Sequence, residues 1–252
     1  MNKILSSIRT FVGLVISLGV LTAIGVFLPQ GDFSSLPGGQ QSLPASKPIV
    51  AVLSAGVILL VYGGLGFVGL ILSQKLGFAD IWDKKVSNRK RFLFPAAYGF
   101  GLGFFFILAD SVIGRLHAFG PLPHPPFPTS FVASAAAGIG EEIIFRLFFI
   151  PFWVWLIAYV ILKKRRQDQV FWIIAIISAI VFALAHIPSI MIIFGLETIS
   201  EIPAALLTEI LLLNGIITLF AAYHFRKYGF LAAVGIHFWA DVVWHVFWGA
   251  VR

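Results

Sequence analysis

The feature that most restricts the fold of this chain is a series of seven apolar runs, each long enough to cross a bilayer. A hydrocarbon core about 30 Å thick needs about 20 helical residues. Helices satisfy their own backbone hydrogen bonds in lipid. The sequence therefore predicts an all-α, polytopic integral membrane bundle of about seven spans. These spans are Thr10–Leu28, Ile49–Ser73, Phe92–Ile113, Phe131–Leu162, Val170–Ile187, Pro203–Phe225 and Tyr228–Val251.

The composition supports a membrane protein. Of the 252 residues, 59% are hydrophobic and only 12% are charged, whereas a soluble domain carries about 25% charged residues. The length suits one membrane domain over residues 1–252, with peripheral spans in 1–115 and the motif-bearing spans four to seven in 131–252. The first run is too long for a signal-peptide core and predicts a retained anchor. The chain has no cysteine, which excludes disulfides, thiol catalysis and iron–sulfur chemistry.

The basic residues, which give a net charge of +7, alternate between the two sides of the predicted bundle. One side carries fourteen of them, the other carries Lys47, Arg115 and Arg252, and Arg146 lies within a span. The positive-inside rule then predicts a cytoplasmic N-terminus and an outer C-terminus. We expect a prokaryotic cell membrane, with lipid head groups and no nucleic acid as partners. The fourteen are Lys3, Arg9, Lys75, Lys84, Lys85, Arg89, Lys90, Arg91, Lys163, Lys164, Arg165, Arg166, Arg226 and Lys227.

Six polar residues lie within or at the ends of the predicted spans. An ionised side chain at membrane depth costs about 2.5–3.5 kcal/mol on insertion scales, so such groups mark a functional site by default. Helix–helix clamping is the alternative for any one of them. Six on three spans are more than packing requires, and they predict a hydrolytic centre. They are Glu141, Glu142 and Arg146 in span four, His186 at the end of span five, and His237 and Asp241 in span seven.

The spacing of the six residues assigns them different environments. Glu142 and Arg146 are four residues apart, which favours an ion pair on one helix face. Glu141 points about 100° away and is left as the candidate acid or base. Asp241 follows His237 by one turn and can fix its tautomer or its charge.

The depth of the two histidines in the bilayer differs when it is counted along the helices. At about 1.5 Å per residue, His186 lies roughly 24 Å and His237 roughly 14 Å from the basic side. Tilt and the uncertainty of the span ends can close this gap. A helix stop is expected at Ile187, because Pro188 follows it. Glu209 and His245 are further candidates to support the histidines, with helix packing and an interfacial position as their alternatives.

Three short motifs, in order and on separate spans, resemble a known family. Glu-Glu-x-x-x-Arg at 141–146, Phe-x-x-x-His at 182–186 and His-x-x-x-Asp at 237–241 are similar to the motifs of the CPBP intramembrane proteases. That family includes type II CAAX prenyl endopeptidases and bacteriocin-processing or self-immunity proteins. The resemblance covers roughly residues 134–243 and implies cleavage of a membrane-associated peptide or protein.

The resemblance also implies a role for each site residue. Glu141 would activate water, with His186 orienting that water, and His237 with Asp241 would stabilise the oxyanion. Glu142 and Arg146 would support the site. The best-known prenyl proteases have Asn where this chain has Asp241, so either this carboxyl group is protonated or it serves to charge His237.

Two other functions stay open from the sequence. Glu141, His186 and His237 are also a possible zinc set of a metallopeptidase, whereas the glutamate mechanism needs no metal or cofactor. A non-catalytic immunity or transport protein would use the same polar groups to bind a peptide or a proton. Transporters often show internal repeats and paired broken helices, and the sequence shows neither.

Overall fold

A computed structural model describes the chain over residues 2–31 and 45–251. Within these ranges all the regular secondary structure is helical, as the sequence predicts. Most of the predicted Pro29–Pro48 loop lies outside the described residues, as does Arg252. The helices are α1 (Asn2–Gly25), α2 (Lys47–Lys75), α3 (Arg89–Leu116), α4 (Thr129–Ile161), α5 (Gln167–Leu184), α6 (Ile187–Phe194), α7 (Ala204–Tyr228) and α8 (Phe230–Val251).

Seven spans long and apolar enough to cross a membrane occur in the described residues, which confirms the predicted number. The fifth span is longer than predicted, because α5 and α6 together form it, from Gln167 to Phe194. The helix breaks at Ala185 and His186 and then resumes. Pro188 does not end it, since Pro188 lies in the first turn of α6, where its missing N–H is not needed. His186 therefore lies in a bend inside the span.

The distribution of side chains is that of a membrane protein. Large apolar residues such as Leu60 and Leu108 are 79% and 68% exposed on the outside of the bundle. Polar groups such as Glu142 and Arg146 are fully buried inside it. Soluble monomers rarely expose contiguous apolar surface of this extent, so the outer surface is suited to lipid.

Glycines allow close approach between the helices that frame the polar residues. A Cβ atom on Gly69 of α2 would lie 2.0 Å from the backbone oxygen of Leu147 in α4. A Cβ on Gly103 of α3 would lie 2.8 Å from the backbone oxygen of Ala240 in α8. Small residues at such contacts are the usual means of tight packing between membrane helices. The two contacts fix α4 and α8, which carry most of the polar set.

Both α4 and α8 change from α-helical to π-helical hydrogen bonding directly after a candidate carboxylate. The π-helical stretch in α4, Ile143–Phe149, follows Glu142. The stretch in α8, Val242–Trp248, follows Asp241. π-helical turns often occur at functional sites. Each one rotates the rest of its helix relative to a regular α-helix, so that side chains beyond it face a different direction.

The two ends of the bundle differ in chemistry. At one end, which we call the basic end, are the loops 76–88 and 162–166 and the turn at Gly229. At the other, which we call the loop end, are the segments 117–128 and 195–203. The cytoplasmic position of the basic end stays a prediction from the charge distribution.

Candidate active site

The buried ion pair predicted between Glu142 and Arg146 is present in α4. Arg146 Nε lies 3.1 Å from Glu142 Oε2, and both side chains are fully buried. Arg146 Nη2 donates to Thr218 Oγ1 of α7 at 2.9 Å. The guanidinium group also lies 4.6 Å from the centre of the Phe182 ring in α5. The ion pair thus connects α4 to two neighbouring helices, and its charges offset each other away from water.

His237 lies among three carboxyl groups. Its Nδ1 is 2.8 Å from Glu142 Oε1, while its Nε2 is 3.5 Å from Glu141 Oε2 and 3.6 Å from Asp241 Oδ2. A glutamate paired with Arg146 is an acceptor, so His237 Nδ1 carries a hydrogen and donates it. Nε2 then faces Glu141 and Asp241. Because Nδ1 already carries one hydrogen, Nε2 can donate a hydrogen bond only when the ring is protonated on both nitrogens.

The second histidine, His186, is oriented by the bend between α5 and α6. Its Nδ1 lies 2.8 Å from the backbone oxygen of Phe182, one turn earlier. A carbonyl oxygen only accepts, so Nδ1 donates the hydrogen and Nε2 is left with a lone pair. The Phe182 ring is 4.9 Å from the His186 ring and 6.0 Å from the His237 ring, centre to centre. The phenylalanine of the Phe-x-x-x-His motif thus packs between the two histidines and the arginine.

A cavity of about 190 Å³ brings the predicted catalytic residues together. Because His186 lies in a bend, it shares this cavity with His237 despite the depth difference counted along the helices. Leu122 and Pro123, from the segment 117–128, line the cavity toward the loop end. Its polar lining residues are Glu141, His186, Asn214, His237, Asp241 and His245.

Glu141 and Glu142 differ in exposure, and Glu141 lies outside the ion pair. The Glu141 side chain is 35% exposed and lines the cavity, whereas the Glu142 side chain is fully buried beside Arg146. A carboxylate that is reachable from the cavity can exchange a proton with a bound water. A carboxylate already engaged by a guanidinium and an imidazole is suited to holding His237 in place.

The two candidates for supporting roles lie in different surroundings. His245 lines the cavity, and its Nδ1 lies 2.9 Å from His124 Nδ1 of the segment 117–128. Glu209 is instead 3.2 Å from His117 Nε2 and is not among the described residues that line the cavity. Burial lowers the pKa of His117, and the Asp110 carboxylate opposes that shift. Glu209 thus belongs to a polar group at the loop end rather than beside His186 and His237.

Some contributors to the site were missed by sequence reasoning. Thr218 holds Arg146 across 72 positions of the chain, and His124 reaches His245 across 121. Neither contact has a local spacing that a sequence pattern could reveal. The sequence shows that the segment 117–128 is rich in proline, but it does not show that this segment lies beside the cavity. Phe182, in contrast, could be noticed in the sequence, because it is the first residue of the Phe-x-x-x-His motif.

The grouping of the polar side chains bears on whether the site could hold a metal. In residues 2–31 and 45–251, no three or more His, Asp or Glu side chains form a group that could hold a metal ion. The set Glu141, His186 and His237 lines one cavity without meeting that condition. The zinc alternative therefore stays a hypothesis for metal analysis to test.

Comparison with known proteins gives one family match. The model of the Rce1-like family, described as type II CAAX prenyl endopeptidase Rce1-like, matches residues 123–243. No curated protein and no solved structure shows significant similarity to the chain. The matched segment begins in the loop beside the cavity and ends just after Asp241, so it contains all three motifs. Residues 123–243 of this integral membrane chain are therefore similar to the Rce1-like family of type II CAAX prenyl endopeptidases, which are peptide hydrolases.

Proposed function

We propose that this protein is a glutamate-dependent intramembrane endopeptidase that cleaves a membrane-associated peptide or protein. The observation that carries the proposal is the shared cavity. Glu141 and His186 line it from two helices, and His237 Nε2 lies 3.5 Å from Glu141 on a third. A base, a water-orienting acceptor and a candidate donor for an oxyanion thus surround one cavity.

In the proposed reaction, a water molecule binds between Glu141 and His186. The lone pair on His186 Nε2 accepts one hydrogen of the water, and Glu141 removes the other as general base. The water oxygen attacks the peptide carbonyl carbon, and the carbonyl oxygen takes up the electron pair of the C=O bond. When this tetrahedral intermediate collapses, the C–N bond breaks and the proton held by Glu141 passes to the leaving amine. The products are an acid and an amine, and Glu141 returns to its carboxylate form.

The oxyanion would face the edge of the site formed by His237 and Asp241. Donation from His237 Nε2 requires a doubly protonated ring, and donation from Asp241 requires a protonated carboxyl group. Either proton placement supplies a hydrogen bond to the developing negative charge in a poorly hydrated cavity, where such bonds contribute most. Glu142 holds the ring from the other side through Nδ1.

The cavity wall also suggests the substrate's chemistry. No lysine or arginine is among the described residues that line it, and two carboxylates, Glu141 and Asp241, are. Arg146 is sealed behind Glu142. Isoleucines and leucines form much of the remaining wall. We therefore propose that the segment around the scissile bond is apolar and uncharged, and that a free C-terminal carboxylate is not bound inside the cavity.

The mechanism is tested by replacing Glu141 with Gln or Ala in full-length protein in detergent or nanodiscs. The expected result is loss of product by at least about a hundredfold for Glu141→Gln, since general base catalysis contributes about 10²–10⁴. Glu197→Gln, which removes an exposed carboxylate far along the chain, is the matched control. Full activity of Glu141→Ala on the native substrate would rule out the mechanism.

The two rival functions are separated by two further measurements. Stoichiometric zinc in purified protein, with activity lost to a chelator and restored by zinc, would favour the metallopeptidase. Mass spectrometry of the peptide after incubation would show no cleavage at all if the cavity only binds or transports its ligand.

A further inference from the structure

Another pocket lies at the basic end of the bundle, and none of its lining residues lines the cavity of the candidate active site. It is formed where the loop 76–88 and the start of α3 meet the end of α7, and its volume is about 410 Å³. The backbone N–H of Ala79 donates to the Arg226 oxygen at 3.1 Å, which joins the two sides. The lining residues are Gly77, Phe78, Ala79, Asp83, Lys85, Val86, Lys90, Arg226, Lys227 and Tyr228.

We propose that this pocket binds a phosphate group, supplied by the head group of an anionic phospholipid. The lining carries Lys85, Lys90 and Lys227, against the single carboxylate Asp83. Within residues 2–31 and 45–251, none of these three lysines forms an ion pair with a carboxylate. Basic pockets between membrane helices are a known means of holding anionic head groups. The proposal does not depend on the catalytic mechanism.

The other charges near the pocket are already paired or engaged. Arg226 pairs with Asp168, which lies outside the lining. Asp83 Oδ1 accepts the backbone N–H of Lys85 at 2.9 Å. The pocket therefore keeps an excess of positive charge whose natural counterion would be an anion from outside the chain.

A buried arginine fixes the loop that carries Lys85 and part of the pocket lining. Arg91 is only 3% exposed. It donates to Asn88 Oδ1 at 2.7 Å and to the Val86 oxygen at 2.9 Å, and it also donates to the Asp83 oxygen. Its guanidinium lies 4.5 Å from the centre of the Trp82 ring. A loop fixed in this way loses little conformational entropy when a ligand binds.

The depth of the pocket favours a lipid over a free phosphate ion. The pocket lies where α3 begins and α7 ends, so it is at the boundary between apolar spans and the basic loops. Lys90 and Lys227 lie 5.8 and 5.5 Å from the centre of the Tyr228 ring, and Lys227 Nζ donates to Tyr223 Oη at 2.7 Å. Tyrosines are enriched at the level of lipid head groups.

The test uses full-length protein in a neutral detergent and measures its melting temperature against added ligand. The probes are short-chain phosphatidylglycerol, short-chain phosphatidylcholine and inorganic phosphate. The expected result is a saturable rise with phosphatidylglycerol only. In the double variant Lys85→Ala, Lys90→Ala the apparent Kd should rise about 25-fold, because each cation near the surface contributes about 1 kcal/mol, or fivefold.

The matched control is Lys75→Ala, Lys84→Ala, which removes two exposed lysines of the same end that do not line the pocket. It should respond to phosphatidylglycerol as the unmodified protein does. An equal response to phosphatidylcholine, an equal response to inorganic phosphate, or an unchanged Kd in the Lys85, Lys90 variant would each overturn the lipid site.

Discussion

The Nδ1 of His237 lies 2.8 Å from Oε1 of Glu142, so the fully buried glutamate of the pair holds the imidazole while its neighbour faces the cavity. Glu142 also pairs with Arg146, so removing its charge leaves a buried guanidinium without its counterion. Breaking a buried pair in this way costs about 3 kcal/mol or more.

The two glutamates should therefore respond differently to the same substitution. Glu142→Gln is expected to lower the melting temperature and to abolish activity, because it disturbs both Arg146 and His237. Glu141→Gln is expected to lose activity while its melting temperature stays close to that of the unmodified protein. Thermal unfolding in detergent, measured beside peptide cleavage, checks both. Equal destabilisation by the two variants would contradict this division of roles.

Asp241 tests how the oxyanion edge works. Asp241→Asn keeps the shape and adds an amide donor, so we expect activity within about tenfold of the starting level. Asp241→Ala removes the group and should cost about a hundredfold in kcat, the typical loss for one oxyanion donor. Kinetic measurement of both variants at saturating substrate decides the matter. If Asp241→Asn is as inactive as Asp241→Ala, the charge on Asp241 is needed and its donor role is wrong.

Thr218 is predicted to stabilise the site through Arg146. Thr218→Val removes the hydroxyl that accepts from Arg146 Nη2 and should cost about 2 kcal/mol, as for other hydrogen bonds to charged groups. Ser178→Ala is the matched control. Its buried hydroxyl has no hydrogen-bond partner among the described residues, so its loss should change stability by less than about 0.5 kcal/mol. Similar effects of the two variants would show that Thr218 acts by packing alone.

The substrate terminus can be tested with peptides. We expect a short apolar peptide ending in a carboxamide to be cleaved at least as fast as the same peptide ending in a carboxylate, because Glu141 repels the second and no lysine or arginine among the described lining residues attracts it. When both peptides are extended well beyond the scissile bond, the difference in cleavage rate between them should disappear. The comparison uses kcat/KM from mass spectrometry of products. A tenfold preference for the carboxylate would show that a cation outside the cavity lining recognises it.

The local and compositional parts of this structure could be predicted from the sequence. Hydrophobic runs gave the seven spans, and the spacing of Glu142 and Arg146 gave their ion pair, because both depend only on helix geometry. The continuation of the fifth span past Pro188 was not predicted. The sequence does not show the bend before Pro188, and without that bend a proline in the first turn of a new helix cannot be told from one that ends the preceding helix.

Contacts between helices could not be predicted in the same way. Glu209 was a candidate to support His186 and His237, with helix packing as the alternative, and in the structure it pairs with His117 at a distance of 92 positions along the chain. Its partner is decided by the rotation of α7 and the path of the segment 117–128, and neither leaves a periodic pattern. The π-helical stretch after Glu142 rotates the rest of α4, and the spacing of side chains in the sequence does not predict that rotation.

The contact of Gly103 with the backbone of Ala240 has a consequence for evolution and for protein engineering. α3 precedes the segment that matches the family, yet it touches α8 one residue before Asp241 and adds Phe106 to the cavity wall. A chimera that joins the first three spans of one relative to the last four of another would place foreign side chains against the helix that carries His237. Such chimeras should work only when α3 and α8 are exchanged together, so the unit of inheritance in this protein extends beyond its three motifs.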